Sequence, residues 1–388
     1  MKVLQIITSL STGGAETMLR NVVLGLDRQH FQARVISLTG KDSIGKELEA
    51  DGVSVTALDG RRGLLYPHQF MRARRVIQNW QPDLVHSWMY HANVFAHCLR
   101  ASGAGARQPL ITSVRGALNA PHSQGSTLRL VRCIDARLSK RADAVVYNSA
   151  ESAKQHANSG YDRAKTIVIP NGFDTARFRP DAAARTRVRA ELGINGEELI
   201  GLVARFNSVK GHRIFLEAAK EVHNERAHQM FVLIGRDCDT ANAELVRWIA
   251  ELGLGQRVKL LGERRDMPAV LNALDIAVCA SISESFPNAI GEAMACGKPC
   301  VVTDVGDCAF LIGDAGEVAP AADPIGLAVA ISRLSSRLAM EGQQLATKAR
   351  KRVVSSFSLN AVVQQFAQLY VSVLQAHPMP RAPTSSST

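Results

Sequence analysis

Two cations and two carboxylates in the second half of the chain have the types and spacing to handle a phosphorylated ligand. Arg205 and Lys210 stand five residues apart in "ARFNSVKG", just after an apolar run, and Gly211 opens the next helical pattern. Two cations leaving a strand end could clamp a pyrophosphate, each charge-assisted bond being worth roughly 1.5–3 kcal/mol. The alternative is an exposed basic loop. In "ESFPNAIGEAMACGKP", residues 284–299, Glu284 precedes a helix predicted to start at Pro287 and end at Gly297, and Glu292 lies inside it. The amides of Ser285, Phe286 and Asn288 fall near the positive end of that helix dipole, where an anion can bind. Gly291 costs the helix interior roughly 1 kcal/mol against alanine. Close approach of a ligand or of neighbouring backbone would explain it. Acids near a helix start are also stabilising by themselves, so this pattern alone has two readings.

The first half offers weaker candidates. In "STGGAE", residues 11–16, Gly13 and Gly14 either let backbone approach an anion at the start of a helix or make a tight turn. In "PDLVHSWMYHANV", His86 ends an apolar run and His91 begins a helical one. Either is a polar contact in a cleft or a hydrogen-bonded structural histidine, and neither has the neighbours a metal site needs.

These residues share a placement. Short apolar runs alternate with amphipathic segments along the whole chain: "VLQII", "ARVISL", "VSVTAL", "LVHS", "LITSV" and "AVVYNS", then "LIGLVAR", "MFVLIG", "RVKLLG", "DIAVCAS" and "PCVVTD". Strands apolar throughout are buried on both faces, which predicts parallel sheets covered by helices. The pattern occurs twice, so the expectation is an α/β protein of two Rossmann-like, doubly wound domains facing across a cleft, with C-terminal helices. The break falls in "VIPNGFDTARFRPD", whose Pro170, Asn171 and Gly172 are turn residues. The domains are accordingly 1–170 and 171–357, with a closing helix at 358–376. The tail 377–388, rich in Pro, Ser and Thr, reads as disordered. In open parallel sheets ligands bind beyond the carboxyl ends of the strands, and all four candidate segments lie there.

Composition narrows the classes. The chain of 388 residues is 46% apolar and 21% charged, ordinary for a globular protein. No run reaches the ~18 apolar residues of a membrane span. "MKVLQII" is too short for a signal-peptide core and reads as a first strand. Seven cysteines without a CxxC pair fit reduced, buried thiols in a cytoplasmic protein. The net charge of +11 is uneven: residues 1–170 hold 22 Lys and Arg against 12 Asp and Glu, whereas the remainder holds 24 against 23. The clusters "GRRG", "MRARR" and "RLVRCIDARLSKR" suit an anionic membrane surface, an acidic substrate or simply a solvated face. No nucleic-acid module is visible, so nucleic acid is not expected as a partner.

"ARFNSVKG" followed by "ESFPNAIGEAMACGKPCVVTDVGD" resembles glycosyltransferase family 4, the retaining, nucleotide-sugar-dependent transferases of the GT-B fold. "STGGAE", "PDLVHSW", "VVYNSAES" and "IPNGFD" follow in the family's order, and the resemblance covers about residues 1–375. It implies that Arg205 and Lys210 bind the donor pyrophosphate, Glu284 the hydroxyls of the transferred sugar, and Glu292 the ribose. Gly13 and Gly14 would close over the phosphates from the N-terminal, acceptor-binding domain, and the 358–376 helix would pack back on that domain. It implies no cofactor and no metal, although "DCD" at 237–239 imitates the metal motif of another transferase fold. The sequence departs from the family at Arg115, where several members carry a histidine that contacts the donor sugar. Either Arg115, with Ser113 nearby, meets an anionic group of donor or acceptor, or the sugar is held differently. The acceptor would be a cell-surface glycan or its lipid-linked precursor, and the protein would work in the cytoplasm or on the inner membrane face. A nucleotide-sugar epimerase on the same fold and a non-enzymatic polyanion-binding protein are the competing classes.

Overall fold

The computed structural model describes residues 1–60, 67–103, 108–118, 125–226 and 228–377. Arg61 and Arg62 of the first basic cluster and the 378–388 tail lie outside the described residues.

The first sheet contains β1 (Lys2–Ile7), β2 (Gln32–Ser37), β3 (Ser54–Ala57), β4 (Leu84–Trp88), β5 (Leu110–Val114), β6 (Ala144–Tyr147) and β7 (Thr166–Val168). The second contains β8 (Glu198–Val203), β9 (Gln229–Ile234), β10 (Val258–Leu260), β11 (Ile276–Cys279), β12 (Cys300–Thr303) and β13 (Gly316–Ala319). All pairings are parallel, in the orders β3-β2-β1-β4-β5-β6-β7 and β10-β9-β8-β11-β12-β13. The apolar runs are buried on both faces as expected: every residue of β4, β5, β6 and β9 is inaccessible. In each sheet the order reverses beside the first strand. A crevice therefore opens at the carboxyl ends of β1 and β4, and another at those of β8 and β11.

The chain crosses between the sheets twice, and the two crossings pair. Phe173 donates its amide to the Phe357 carbonyl at 2.9 Å, and Leu359 donates to the Phe173 carbonyl at 2.7 Å. The Pro324–Ser356 helix, broken at Glu341, covers the second sheet. The Leu359–Gln375 helix lies on the first, where Val362, Val363, Phe366, Tyr370 and Val373 join the core formed by Val3, Ile7, Leu19 and Trp88. Among the described residues no helix is long and apolar enough to cross a membrane. Five cysteines are buried, but Cys98 and Cys133 are exposed, which corrects the expectation of buried thiols throughout.

Candidate functional site

The loop after β8 is built to deliver Lys210. Asn207 accepts a bond from the Val209 amide at 3.0 Å and starts a single helical turn, Ser208–Lys210. Gly211 follows with φ of 69°, and a Cβ there would overlap the Ala280 carbonyl at the end of β11. The Ile282 amide bonds the Val209 carbonyl at 2.9 Å, stapling this loop to the one after β11. As a result Lys210 Nζ lies 2.5 Å from Glu284 Oε2. Burial works against the lysine's charge, yet the Glu284 carboxylate more than offsets it and holds the pKa above its ordinary value.

Both residues line a cleft of about 770 Å³ between the two sheets. Its C-terminal wall carries Arg205, Lys210, Arg236 and Glu284, together with the segment Pro287–Ile290 at the mouth of the Asn288–Ala295 helix. Pro287 is the N-cap of that helix, which starts one residue later than the sequence suggests, and Gly297 takes φ of 74° just beyond its end. No acid occupies the first turn, so the amides there remain available to an anion from the cleft. The Ser285 amide is an exception, since it donates to Glu284 Oε1 at 3.2 Å. Phe286 is buried and stacks on Phe173.

The N-terminal wall has a different chemistry. Residues 11–16, Asn148 and Asn171 contribute hydroxyls, amides and one carboxylate, Glu16. Gly13 is the N-cap of the Gly14–Gly25 helix, and Glu16 folds back across it: a Cβ at Gly13 would overlap Glu16 Oε2. Gly14 faces Asn288 across the cleft, where a Cβ would stand 3.5 Å from Asn288 Nδ2. The two glycines thus clear a carboxylate and the opposite wall. Both line the cleft that also holds Arg205 and Lys210, and the helix start they border carries Glu16 in its first turn.

Other sequence candidates also move. His86 does not reach the cleft. It is fully buried, with Nδ1 bonded to Tyr370 Oη at 2.8 Å and Nε2 to Ser113 Oγ at 2.7 Å. Burial and then the charge of Arg115 keep its pKa well below the ordinary value, so it is a neutral structural histidine. Arg115 borders the cleft, but its guanidinium turns inward over Trp88 and Phe366. There its Nη2 donates to Asn171 Oδ1 at 2.6 Å and to the carbonyls of Ile169 and Pro170. Burial brings it down to about 9. It clamps the crossing segment and is not presented to a substrate anion. Glu292 lies in a smaller chamber of about 60 Å³ that shares Gly14, Asn171 and Asn288 with the cleft. Burial raises its carboxyl to about 7, with Arg177 opposing. Gly291 makes room for the ring of Phe173, which a Cβ would overlap, and not for a ligand.

Sequence reasoning overlooked Arg236, Asn148, Asn171 and Glu16. All four follow the carboxyl ends of strands, which was the available signal. The polar bonds between the walls were not legible: Ser285 Oγ donates to Asn148 Oδ1 at 2.6 Å, and Asn171 Nδ2 to Asn288 Oδ1 at 2.7 Å. The Asp307 carboxylate accepts from the amides of Ala150 and Glu151 at 2.8 and 3.0 Å, capping the Ala150–Asn158 helix of the other domain. The acids of "DCD" serve a turn: Asp239 accepts from the Ala241 amide at 2.9 Å, and the Asp237 carbonyl from Asn242 at 2.7 Å. Among the described residues no cluster of three or more His, Cys, Asp or Glu could hold a metal.

Comparison with known proteins places this geometry. Residues 12–177 match the model of Glycosyltransferase Family 4, and residues 197–337 that of Glycosyl transferases group 1. The chain is 34% identical over 183 residues to a D-inositol 3-phosphate glycosyltransferase of Nocardia farcinica, covering 45% of this chain and 40% of that one. It is 28% identical over 218 residues to the Escherichia coli UDP-Gal:alpha-D-GlcNAc-diphosphoundecaprenol alpha-1,3-galactosyltransferase, covering 55% and 56%. The match thus spans about half the length of these relatives. Among solved structures, Anabaena Alr3699/HepE in complex with UDP superposes with a TM-score of 0.84 at 25% identity, covering 96% of this chain and all of that one.

Proposed function

The chain belongs to the glycosyltransferases of family 4 and group 1, and from that premise we propose that it moves a sugar from a nucleotide-sugar donor to an acceptor hydroxyl with retained configuration. The observation that carries the reading is the contact of Lys210 with Glu284, beside Arg205, at the mouth of the Asn288–Ala295 helix, whose first turn carries no acid. Arg205 and Lys210, with Arg236, neutralise the diphosphate as it leaves, and the first-turn amides share the charge. Such preorganised donors act where negative charge develops and need no divalent metal. Glu284, fixed by Lys210, accepts hydrogen bonds from hydroxyls of the sugar in transfer. The UDP in the Anabaena structure supports uridine as the donor nucleoside. A ribose contact from Glu292 requires the donor to reach past Asn288, where the cleft and the small chamber meet.

A lipid-linked or cell-surface glycan acceptor, met in the cytoplasm at the inner membrane face, is the second part of the proposal. Its support is the basic N-terminal half and the Ser126–Ser139 helix, where Leu130 and Ile134 are 61% and 37% exposed between the exposed Arg129 and Arg137. Each well-placed cation adds about 1 kcal/mol on an anionic surface. Sedimentation with anionic and neutral vesicles tests this part: binding indifferent to lipid charge and salt removes the membrane and leaves the enzyme.

The test of the enzyme is a melting-temperature screen of nucleotide sugars, followed by NMR of the product's anomeric configuration. A donor that binds raises the melting point by mass action. An inverted product refutes retention, and no shift with any nucleotide sugar refutes the donor.

A further inference from the structure

Two loops of the C-terminal domain are stacked beside the cleft, and one of them reaches across to the other domain. In the loop after β12, Gly306 takes φ of 56°, and a Cβ there would overlap the carbonyls of Glu284 and Ser285. The next residue, Asp307, donates its amide to the Ser285 carbonyl at 2.9 Å. Its carboxylate accepts from the amides of Ala150 and Glu151 in the N-terminal domain, at 2.8 and 3.0 Å. Ser285 is itself tied to that domain through Asn148. Glu284 is thus followed by a residue held from two sides.

The start of the Ala150–Asn158 helix shows what Asp307 supplies. Ser149 is the N-cap: its Oγ accepts from the Ser152 amide at 2.9 Å, and its carbonyl from the Ala153 amide at 3.1 Å. The amides of Ala150 and Glu151 remain, and the group that takes them belongs to the other domain. The Ser285 and Asn171 bonds across the cleft join neutral groups, whereas a carboxylate at the positive end of a helix makes charge-assisted bonds.

We propose that Asp307 is a positioning residue: by holding the amides of Ala150 and Glu151 it fixes the loop of Glu284 against the N-terminal wall and sets how that wall meets the sugar in transfer. The catalytic consequence rests on the transferase reading above; the contact itself does not. Two substitutions break the contact from opposite sides. Asp307→Asn keeps the size of the side chain and the main-chain bond to Ser285, but removes the charge and one acceptor. Ala150→Pro removes one donor at the first helical position, where proline fits, because Ser149 before it is already extended with φ of −151° and ψ of 149°. UDP release is measured from the nucleotide sugar that raises the melting point, with and without a synthetic alkyl-diphosphate N-acetylglucosamine. UDP affinity, melting temperature and hydrogen exchange of the Glu151 amide are followed alongside. The expected result is kcat lowered about tenfold in each variant, with UDP affinity at the wild-type value because the cations of the C-terminal wall are untouched. Ala150→Pro should keep the wild-type melting temperature, and the double variant should lose less than the product of the two. Without nucleotide, the Glu151 amide of Asp307→Asn should exchange about tenfold faster. Wild-type kcat in either variant assigns Asp307 to helix capping alone and overturns the proposal. A loss of UDP affinity equal to the loss of kcat overturns it too, by moving Asp307 into the donor site. Unchanged Glu151 exchange overturns it with no turnover measured. A wild-type protein that binds no nucleotide sugar, while Glu151 exchange responds as expected, refutes the transferase reading and the positioning role with it, and the contact stands.

Discussion

The Gly14–Gly25 and Asn288–Ala295 helices begin alike: each follows a strand end, opens on the cleft and has a glycine and a glutamate close by. Their chemistry is opposite. At the first helix the glutamate lies across the N-terminus, and Gly13 exists to let it. At the second the first turn has no acid; Glu284 is drawn aside by Lys210, and Glu292 sits behind in its own chamber. The first turn of the second helix carries no acid, whereas that of the first carries Glu16. The two helix starts differ in which negative group stands beside them.

The largest expected effects lie at the open mouth. Lys210→Ala and Glu284→Ala each remove one member of a contact at 2.5 Å and leave the other without its partner. Turnover should fall at least ~10-fold in each, given roughly 1.5–3 kcal/mol for a charge-assisted bond. Their double variant should lose less than the product of the two, since coupled residues are not additive. Near-normal turnover in either single variant, with the fold intact, would remove the pair from the chemistry.

Intermediate effects fall on the two glycines. At Gly291 a Cβ meets the rigid ring of Phe173, so Gly291→Ala should cost about 1–3 kcal/mol of stability through overpacking. At Gly13 the added atom meets only the end of a flexible side chain, and the backbone is extended with φ of −167°. Gly13→Ala should therefore leave the denaturation midpoint nearly unchanged while displacing Glu16. Equal stability losses in the two variants would erase the contrast.

The smallest effect is a pH dependence. The Glu292 carboxyl, ordinarily near 4.5, is pushed up to about 7 by its partly buried setting. Between those values the folded protein keeps a proton that the unfolded chain has released. Stability linked to this group is thus full below about 4.5 and is lost as pH rises to about 7. Glu292→Gln stays neutral throughout. Its melting temperature relative to wild type should rise across that window and be level above it. A constant difference from pH 4 to 8 would show that the carboxyl is not buried.

Much of this was legible because the strands are buried on both faces, which leaves unbroken apolar runs such as "IAVCA" and "MFVLIG". The two strands that escaped notice, β7 and β13, lie at sheet edges and are largely not buried. Arg205, Lys210 and Glu284 could be found because position after a strand end is a local property. His86 reads in the sequence as a strand end but is the middle residue of β4, and its environment is closed by Tyr370 from the far end of the chain. Gly291 and Arg115 were misread for the same reason. Their partners, Phe173 and Asn171, belong to the crossing segment, and no local pattern announces which helix it will touch.

The central claim is that the cations of the C-terminal wall grip the diphosphate. Calorimetric titration with UDP of the wild type and of Arg205→Ala and Lys210→Ala tests it directly. Affinity should fall at least ~10-fold in each cation variant. UDP binding at wild-type affinity in either variant would contradict it.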